Sequence, residues 1–422
     1  MCGVMITSGE YDFSMKHRGI NTQIKYLKNL SLIHEHLPIQ AEVGASIIET
    51  KRFIILFNGE LFVDNYDNDL KYIHDTFTEL CLYDAVNEIM LQDGFYSFII
   101  YDTEFDEILC FTDPLGKKQL YYTDSSIASE LRPLIKGPVN SIHLARTIKF
   151  GYVTDDSTPY TNIKRIMPNK LHTFDCNFKL LKVGTELYKF KKVDTNKVDL
   201  YDLIDKSVKN RLKGHEAVGL LLSGGLDSSI IAHHAAHSIR TSYCVDNLDD
   251  LAYARYIDPN VNSISLDIDE AALDAMEMPL DLGSLYPQYS LFSKVDETVI
   301  LTGDGADEAF GGYRRMRDYD AQLSDIFDEL PFYHNVRIDR ISMIHTKECR
   351  SPFMSIPVIE YAINLPYNER VNKKHLRDRY KGILPDRICN RPKEPLKTDI
   401  VRSQSDVQYR KQLVDKWLEG VK

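Results

Sequence analysis

At 422 residues the chain exceeds the roughly 250–300 residues that one hydrophobic core usually fills, so two domains are expected. Apolar and charged fractions of 43% and 27% are those of an ordinary globular protein. A formal net charge of -11 argues against a nucleic-acid partner, and the short basic pieces "KNRLKG" and "HLRDRYKG" read as solvated helix faces.

In chain order, "MCGV" comes first and poses a question. Cys2 is either one more small apolar residue or, once Met1 is removed, a terminal nucleophile. The first half then reads as β-rich. "KRFIILFNGELF" is an apolar strand ending in the turn pair Asn58-Gly59. "GFYSFIIYD" and "EILCFTD" are strands joined by a polar turn, and "KQLYYTD" and "IHLARTIKFGYV" continue the strand pattern. Around residues 190–200 "YKFKKVDTNKVD" reads as a linker. "DLYDLIDKSVKNRLKG" has helical spacing, and "AVGLLLSGG" is an apolar run suited to a strand buried on both faces. A helix "SSIIAHHAAHSI" and the strands "TSYCVDN" and "ETVILTG" follow. This alternation predicts a parallel α/β sheet. From about residue 335 the pattern is mostly helical.

No apolar stretch approaches the ~20 residues of a membrane span. The first thirty residues lack a secretory layout, so a cytoplasmic location is expected. The seven cysteines (2, 81, 110, 176, 244, 349 and 389) are scattered and none has CxxC spacing. That argues against a disulfide framework and against a zinc site.

The richest stretch is "LLLSGGLDSSII", residues 220–231. A buried strand runs into Ser223, Gly224, Gly225, Leu226, Asp227 and Ser228 and then into a helix. Paired glycines let the backbone approach an anion, and the helix start offers unpaired N–H groups. The string lacks the Gly-Lys-Ser/Thr of a Walker loop. It resembles the pyrophosphate loop of enzymes that attack the α-phosphate of ATP. A second loop, "TVILTGDGADEAFGGYRR", crowds Asp304, Asp307 and Glu308 at another strand end. Crowded carboxylates repel unless a cation lies between them, which makes Asp227 and Asp307 the candidate ligands for Mg2+.

"SGGLDSS", "TGDGADEAFGGYRR" and "MCG" together resemble the glutamine-hydrolysing asparagine synthetase family. So do "HRG", "FNGE", "DPLGKKQLYY", "IASELRPLIK", "ECRSPF" and "RPKEP", in matching order. The resemblance implies an α/β chain of two domains. Residues 2–190 would form a four-layer αββα glutaminase. Residues 196–422 would form an ATP-pyrophosphatase domain with a parallel sheet of the adenine-nucleotide α-hydrolase kind. It implies that ammonia from glutamine passes through an internal channel to a carboxylate activated as its adenylate, with release of AMP and pyrophosphate.

By the same resemblance Cys2 is the nucleophile and its α-amine the base. Asn58 and Gly59 form the oxyanion hole, and His36, Asn58, Gly59, Glu60 and Asp75 bind glutamine. Leu221, Ser223, Gly224, Gly225, Asp227, Ser228, Val245, Thr302 and Gly303 bind ATP. Asp304 supports adenylate formation, and Lys393 neutralises charge on the α-phosphate. The partners implied are small molecules: glutamine, ATP, and aspartate or another carboxylate. A homodimer is allowed, and no nucleic acid or membrane is expected.

Four departures stand out. "HEHLPI" places His36 where the family has an Arg for the glutamine α-carboxylate. In "HDTFTEL" either Asp75 or Phe77 aligns with the Asp that binds the glutamine amine. Tyr286 stands near the place of an Arg that aspartate-using members carry. The chain beyond the Lys393 motif is short. Asparagine is the first product expected. The alternatives are the same chemistry on another carboxylate, a binding or regulatory protein with an impaired glutaminase, and, ranked lower, a lactam-former.

Overall fold

The computed structural model describes residues 2–39, 47–64, 66, 68–214, 217–267, 269–280, 284–313, 325–393 and 406–420. Met1, Asp281 to Gly283, Arg314, Arg315, and the Glu394-Pro395 end of the last motif lie outside these residues.

The first half is built on two antiparallel six-stranded sheets. One runs, edge to edge, through Lys164–Arg165, Tyr121–Tyr122, Ser126–Ala128, Cys2–Thr7, Leu30–His36 and Asn21–Leu27. The other runs through Leu180–Glu186, Lys170–Asp175, Glu107–Thr112, Gly94–Asp102, Phe53–Leu61 and Ile47–Glu49. Alternation sorts their side chains. Val4, Ile6, Leu30, Leu32, Ile54, Leu56 and Ile99 fill the space between the sheets. On the outer face of the second sheet, Phe57, Phe98 and Phe111 pack against Ile73, Phe77, Val86 and Ile89 of the helices Asp69–Glu79 and Leu82–Met90. On the outer face of the first, Met5, Ile33 and Tyr121 cluster with Leu144 and with Val336 and Ile341 from the second half. The four layers expected are present, and the second half helps to supply the outermost one.

Two expectations are corrected here. Asn58 and Gly59 are not a turn: they lie inside the strand Phe53–Leu61, opposite Ser97 and Tyr96. Gly59 has φ 143°, and a Cβ there would lie 1.9 Å from the Phe95 carbonyl oxygen, so glycine allows close strand contact rather than chain reversal. Second, "IHLARTIKFGYV" is not a strand. Residues Ser141–Phe150 form a helix, because the Asn140 side chain caps it by accepting from the His143 N–H and Gly151, at φ 93°, ends it. His143, Leu144 and Thr147 are its buried face.

The second half carries a five-stranded parallel sheet in the order Asn262–Ile264, Ile239–Val245, Val218–Leu221, Val299–Leu301, Glu348–Arg350. The last strand, within the stretch read as helical, is three residues long and too short to show a period. The first strand in sequence is central and the chain winds outward on both sides. The order therefore reverses between Val218–Leu221 and Val299–Leu301, where ligands collect in open α/β sheets.

The two halves are joined through a buried ionic cluster. Asp339, on the helix Asn335–Met343, accepts from Arg18 at 3.0 and 3.2 Å, from Lys118 at 2.5 Å and from Arg340 at 2.9 Å. Arg18 also reaches Glu130 at 2.8 Å, and Arg340 reaches Glu277 at 2.9 Å. The final helix, Asp406–Gly420, docks on Ser141–Phe150. There Arg410 donates to the Ile148 carbonyl at 2.9 Å, and Trp417 meets Tyr160 edge-on. No helix among the described residues is long and apolar enough to cross a membrane.

Burial alone would raise the Asp339 carboxyl, but the charges of Arg18, Lys118 and Arg340 hold it below the usual carboxylate range. A depressed folded-state pKa contributes stability that is complete above the unfolded value of about 4 and is lost as pH falls below it. Asp339→Asn is expected to lower unfolding free energy at pH 7 by about 3–5 kcal/mol, because it strands buried cations. It is also expected to flatten the acid limb of a urea-unfolding series. Unchanged stability with an unchanged acid limb would contradict this account of the cluster.

Candidate active sites

The first centre lies at the start of the strand Cys2–Thr7. The Cys2 N–H donates to Asn58 Oδ1 at 3.1 Å, and the Cys2 carbonyl accepts from Arg18 Nε at 3.0 Å. Antiparallel pairing sets Cys2 opposite His36, and Cys2 Sγ lies 3.5 Å from His36 Nδ1. Burial pushes the thiol up, but the positive chain terminus and the His36 contact outweigh it and leave it below its ordinary value. His36, expected at the glutamine α-carboxylate, thus stands against the thiol itself. The pocket in front of Cys2 is lined by His34, His36, Phe57, Gly59, Glu60 and Asp69, among others.

Asp75 is half-buried on the helix Asp69–Glu79 and pairs with His74 at 3.0 Å, while Phe77 is buried in the core. The acid that lines the pocket from that helix is Asp69, whose carboxylate accepts from the Leu61 N–H at 3.3 Å. Burial raises Asp69 to about 6. Glu60 is pushed up by burial and by the neighbouring Glu348 and Asp69 charges, and Arg350 stands 3.7 Å from it. Sequence reasoning passed over Asp69 because no motif surrounds it; its position as the first residue of a capped helix was the available signal.

The second centre lies at the reversal point of the parallel sheet. Val218–Leu221 runs into Ser223 to Gly225 and the helix Leu226–Ala235. Gly224 has φ 67°, and a Cβ there would lie 2.4 Å from the Ala254 nitrogen. Ser223 and Ser228 hydroxyls are 3.3 Å apart, and the Gly225 N–H donates to Ser223 Oγ. Leu221 and Val245 end their strands, and Thr302 shares a 3.1 Å contact with Ser351. Asp304 is half-buried after the strand Val299–Leu301. A Cβ on Gly303 would be 3.0 Å from that of Asp227, so the two loops touch.

Asp227 and Asp307 are brought together, and a cation stands between them: Lys373. Its Nζ is 2.5 Å from Asp227 Oδ2 and 2.6 Å from Asp307 Oδ1. Lys393 reaches Asp307 Oδ2 at 2.7 Å. Burial raises Asp307, but the two lysines overcome it and hold the carboxyl below its ordinary range. Lys373 was not singled out from sequence: it stands just before the piece "HLRDRYKG" that reads as a solvated helix face. Arg391 was quoted only as part of a motif. It donates to the Ser223 carbonyl at 2.7 Å and pairs with Asp250, which clamps the phosphate loop from above. Tyr286 is buried in an apolar cluster with Leu285, Leu291 and Phe292.

A second cavity lies where the halves meet, lined by Phe95, Lys117, Lys118, Asn335, Asp339 and Met354, among others. Lys117 donates to the Gly94 and Met354 carbonyls at 2.6 and 3.0 Å, and burial lowers it to about 8.

Comparison with known proteins agrees with this division. A glutamine amidotransferase domain model matches residues 9–182. The asparagine synthase model matches residues 199–337 and 319–420, more than half of the chain. A Methanocaldococcus jannaschii protein provisionally named asparagine synthetase (glutamine-hydrolysing) 1 is 26% identical, over 87% of this chain and 81% of its own. A provisionally named asparagine synthetase of Acanthamoeba polyphaga mimivirus is 26% identical over 75% and 65%. The asparagine synthetase (glutamine-hydrolysing) of Gallus gallus is 24% identical over 83% and 73%. With the amidotransferase and synthase patterns falling on the two halves that the fold separates, the chain belongs to the asparagine synthase family of enzymes.

Proposed function

We propose that the chain is an ATP-dependent amidotransferase of two units, 2–190 and 196–422, making asparagine from aspartate with ammonia drawn from glutamine. The observation that carries the synthetase half is the contact of the two loops at adjacent strand ends, Gly303 against Asp227, with lysines gathered on their carboxylates.

In the first unit, removal of Met1 frees the Cys2 α-amine to take the thiol proton. The thiolate sulfur bonds to the glutamine side-chain carbonyl carbon, the C–N bond breaks, and ammonia leaves with that proton. Water then hydrolyses the thioester to glutamate. Asn58 and Gly59 would hold the developing oxyanion. Asn58 is already fixed by the Cys2 N–H and stands 3.4 Å from Ser97 Oγ. Glu60 and Asp69 would bind the glutamine amine. The cavity between the halves is proposed as the ammonia route.

In the second unit, the Ser223–Ser228 loop and the helix start after it would cradle the β- and γ-phosphates of ATP, with Leu221, Val245, Thr302 and Gly303 around the nucleoside. A carboxylate oxygen of the acceptor attacks the α-phosphorus and pyrophosphate leaves. Ammonia then attacks the acyl carbon and AMP leaves. Lys393 and Lys373 would neutralise phosphate charge, and Asp304 would support amine attack. Asp227 and Asp307 suit Mg2+: Asp227 Oδ1 is a buried acceptor with no hydrogen-bond donor among the described residues. Held by Asp227 and Asp307, the ion would lower the charge on the leaving pyrophosphate.

Tyr286 is buried in an apolar cluster; standing near the place where aspartate-using members often carry an Arg, it favours a second reading in which another carboxylate is the acceptor. Pyrophosphate release measured across a panel of carboxylic acids separates the two. Release with another acid and none with aspartate would overturn the first.

Cys2→Ala is expected to abolish glutamate formation and to spare amide formation from added ammonia. Equal glutamate from both proteins would remove Cys2 from the mechanism. Asn58→Ala should lower glutaminase kcat by about 10²–10³, the loss of one oxyanion donor. Lys373→Met leaves the Asp227–Asp307 pair short of a buried cation and should cost about 3 kcal/mol of stability. Added Mg2+ should then raise the melting temperature of the variant more than that of the parent. A variant melting with the parent and indifferent to Mg2+ would reject Lys373 as the bridge.

A further inference from the structure

We infer that the Cys2 centre is also a zinc-binding site, formed by Cys2 Sγ, one ring nitrogen of His34 and Nδ1 of His36. The donor atoms of these three residues all lie within 4.8 Å of one another, and all three residues are buried. The closest pair, Cys2 Sγ and His36 Nδ1, is 3.5 Å apart. Ligands bound tetrahedrally to zinc at about 2.0–2.3 Å are themselves about 3.5 Å apart, so this pair needs no rearrangement and His34 needs only a small approach.

The juxtaposition follows from strand geometry. His34 and His36 are two residues apart on Leu30–His36, so both side chains leave the same face. The register sets Cys2 directly opposite His36 and Val4 opposite His34, which places His34 diagonal to Cys2 on that face. The rings stand edge to face with centroids 5.5 Å apart, turned about a common space and not stacked. The absence of CxxC spacing argues against zinc only where one segment supplies the ligands; here two paired strands supply them.

The donor set is chemically selective. One thiolate and two imidazoles suit zinc far better than magnesium or calcium, which take oxygen. Three protein ligands leave a fourth position for water. Binding exchanges the thiol proton for the metal, and that proton passes to solvent. The site exists because His36 replaces an Arg: a guanidinium at that position would put a fixed positive charge where the metal sits and would offer no lone pair.

The test uses the full-length chain stripped with chelator and titrated with Co2+ as a spectroscopic probe. One equivalent is expected to bring up a thiolate-to-cobalt charge-transfer band with tetrahedral d–d bands, and one equivalent of Zn2+ to bleach both. Cys2→Ser should abolish the band, and His36→Arg should weaken metal binding by at least about 100-fold. A missing band, or one that survives in Cys2→Ser, overturns the proposal, since other thiols would then hold the metal. Should either variant fail to fold, X-ray absorption on the Zn2+-loaded parent decides: one sulfur and two imidazole nitrogens support the site, and a shell without sulfur rejects it. Coordination is read from the metal and not from turnover, so it stands or falls separately from the glutaminase reading.

Discussion

The buried carboxylate of Asp339 is a point at which the two halves meet. It comes from the second half and meets Arg18 and Lys118 from the first, with Arg340 beside it. Burying any of these charges alone would cost several kcal/mol, so each is tolerable only with its partners in place. The cluster therefore forms only when both halves are folded and docked. Arg18 carries the consequence to the chemistry, because its Nε also fixes the Cys2 carbonyl. The position of the N-terminal strand thus depends on a residue more than three hundred positions away.

The two centres share a building rule. At each, a glycine accepts a backbone conformation or an approach that a side chain would forbid, and a functional group sits next to it. Gly59 brings Phe53–Leu61 close to Gly94–Asp102 beside Asn58, and Gly224 lets the phosphate loop fold against the helix Leu248–Ile257. Charge is then balanced within each centre. Lys373 and Lys393 answer the Asp227–Asp307 pair, and Arg350 stands among Glu60 and Glu348 near the thiol. Balanced, water-poor charge is what makes fixed dipoles effective on a reacting group.

His36 and Tyr286, two positions that the sequence reading set apart, lie in different surroundings. His36 ends the strand Leu30–His36 with its ring against the Cys2 sulfur. Tyr286 is buried among Leu285, Leu291 and Phe292, and Lys416 interacts with it. Lys373, which carried no motif in the sequence, is buried between two acids.

From the sequence alone, the β-rich first half, the parallel sheet of the second half and the two polar loops at its strand ends were legible. Each rests on local signals, namely apolar runs, paired glycines and short polar strings. Tertiary structure decided the rest. Only strand register could set His36 against Cys2, and only helix docking could bring Asp69 into the lining of the Cys2 pocket. Asn140 and Gly151 turned an apparent strand into the helix Ser141–Phe150, because caps at both ends outweigh an ambiguous apolar pattern. Lys373 found Asp227 across 146 residues, and Asp339 found Arg18 across 321. Such long-range charge pairing leaves no periodicity in the chain. It is fixed by which surfaces lose water together, and that is a property of the fold.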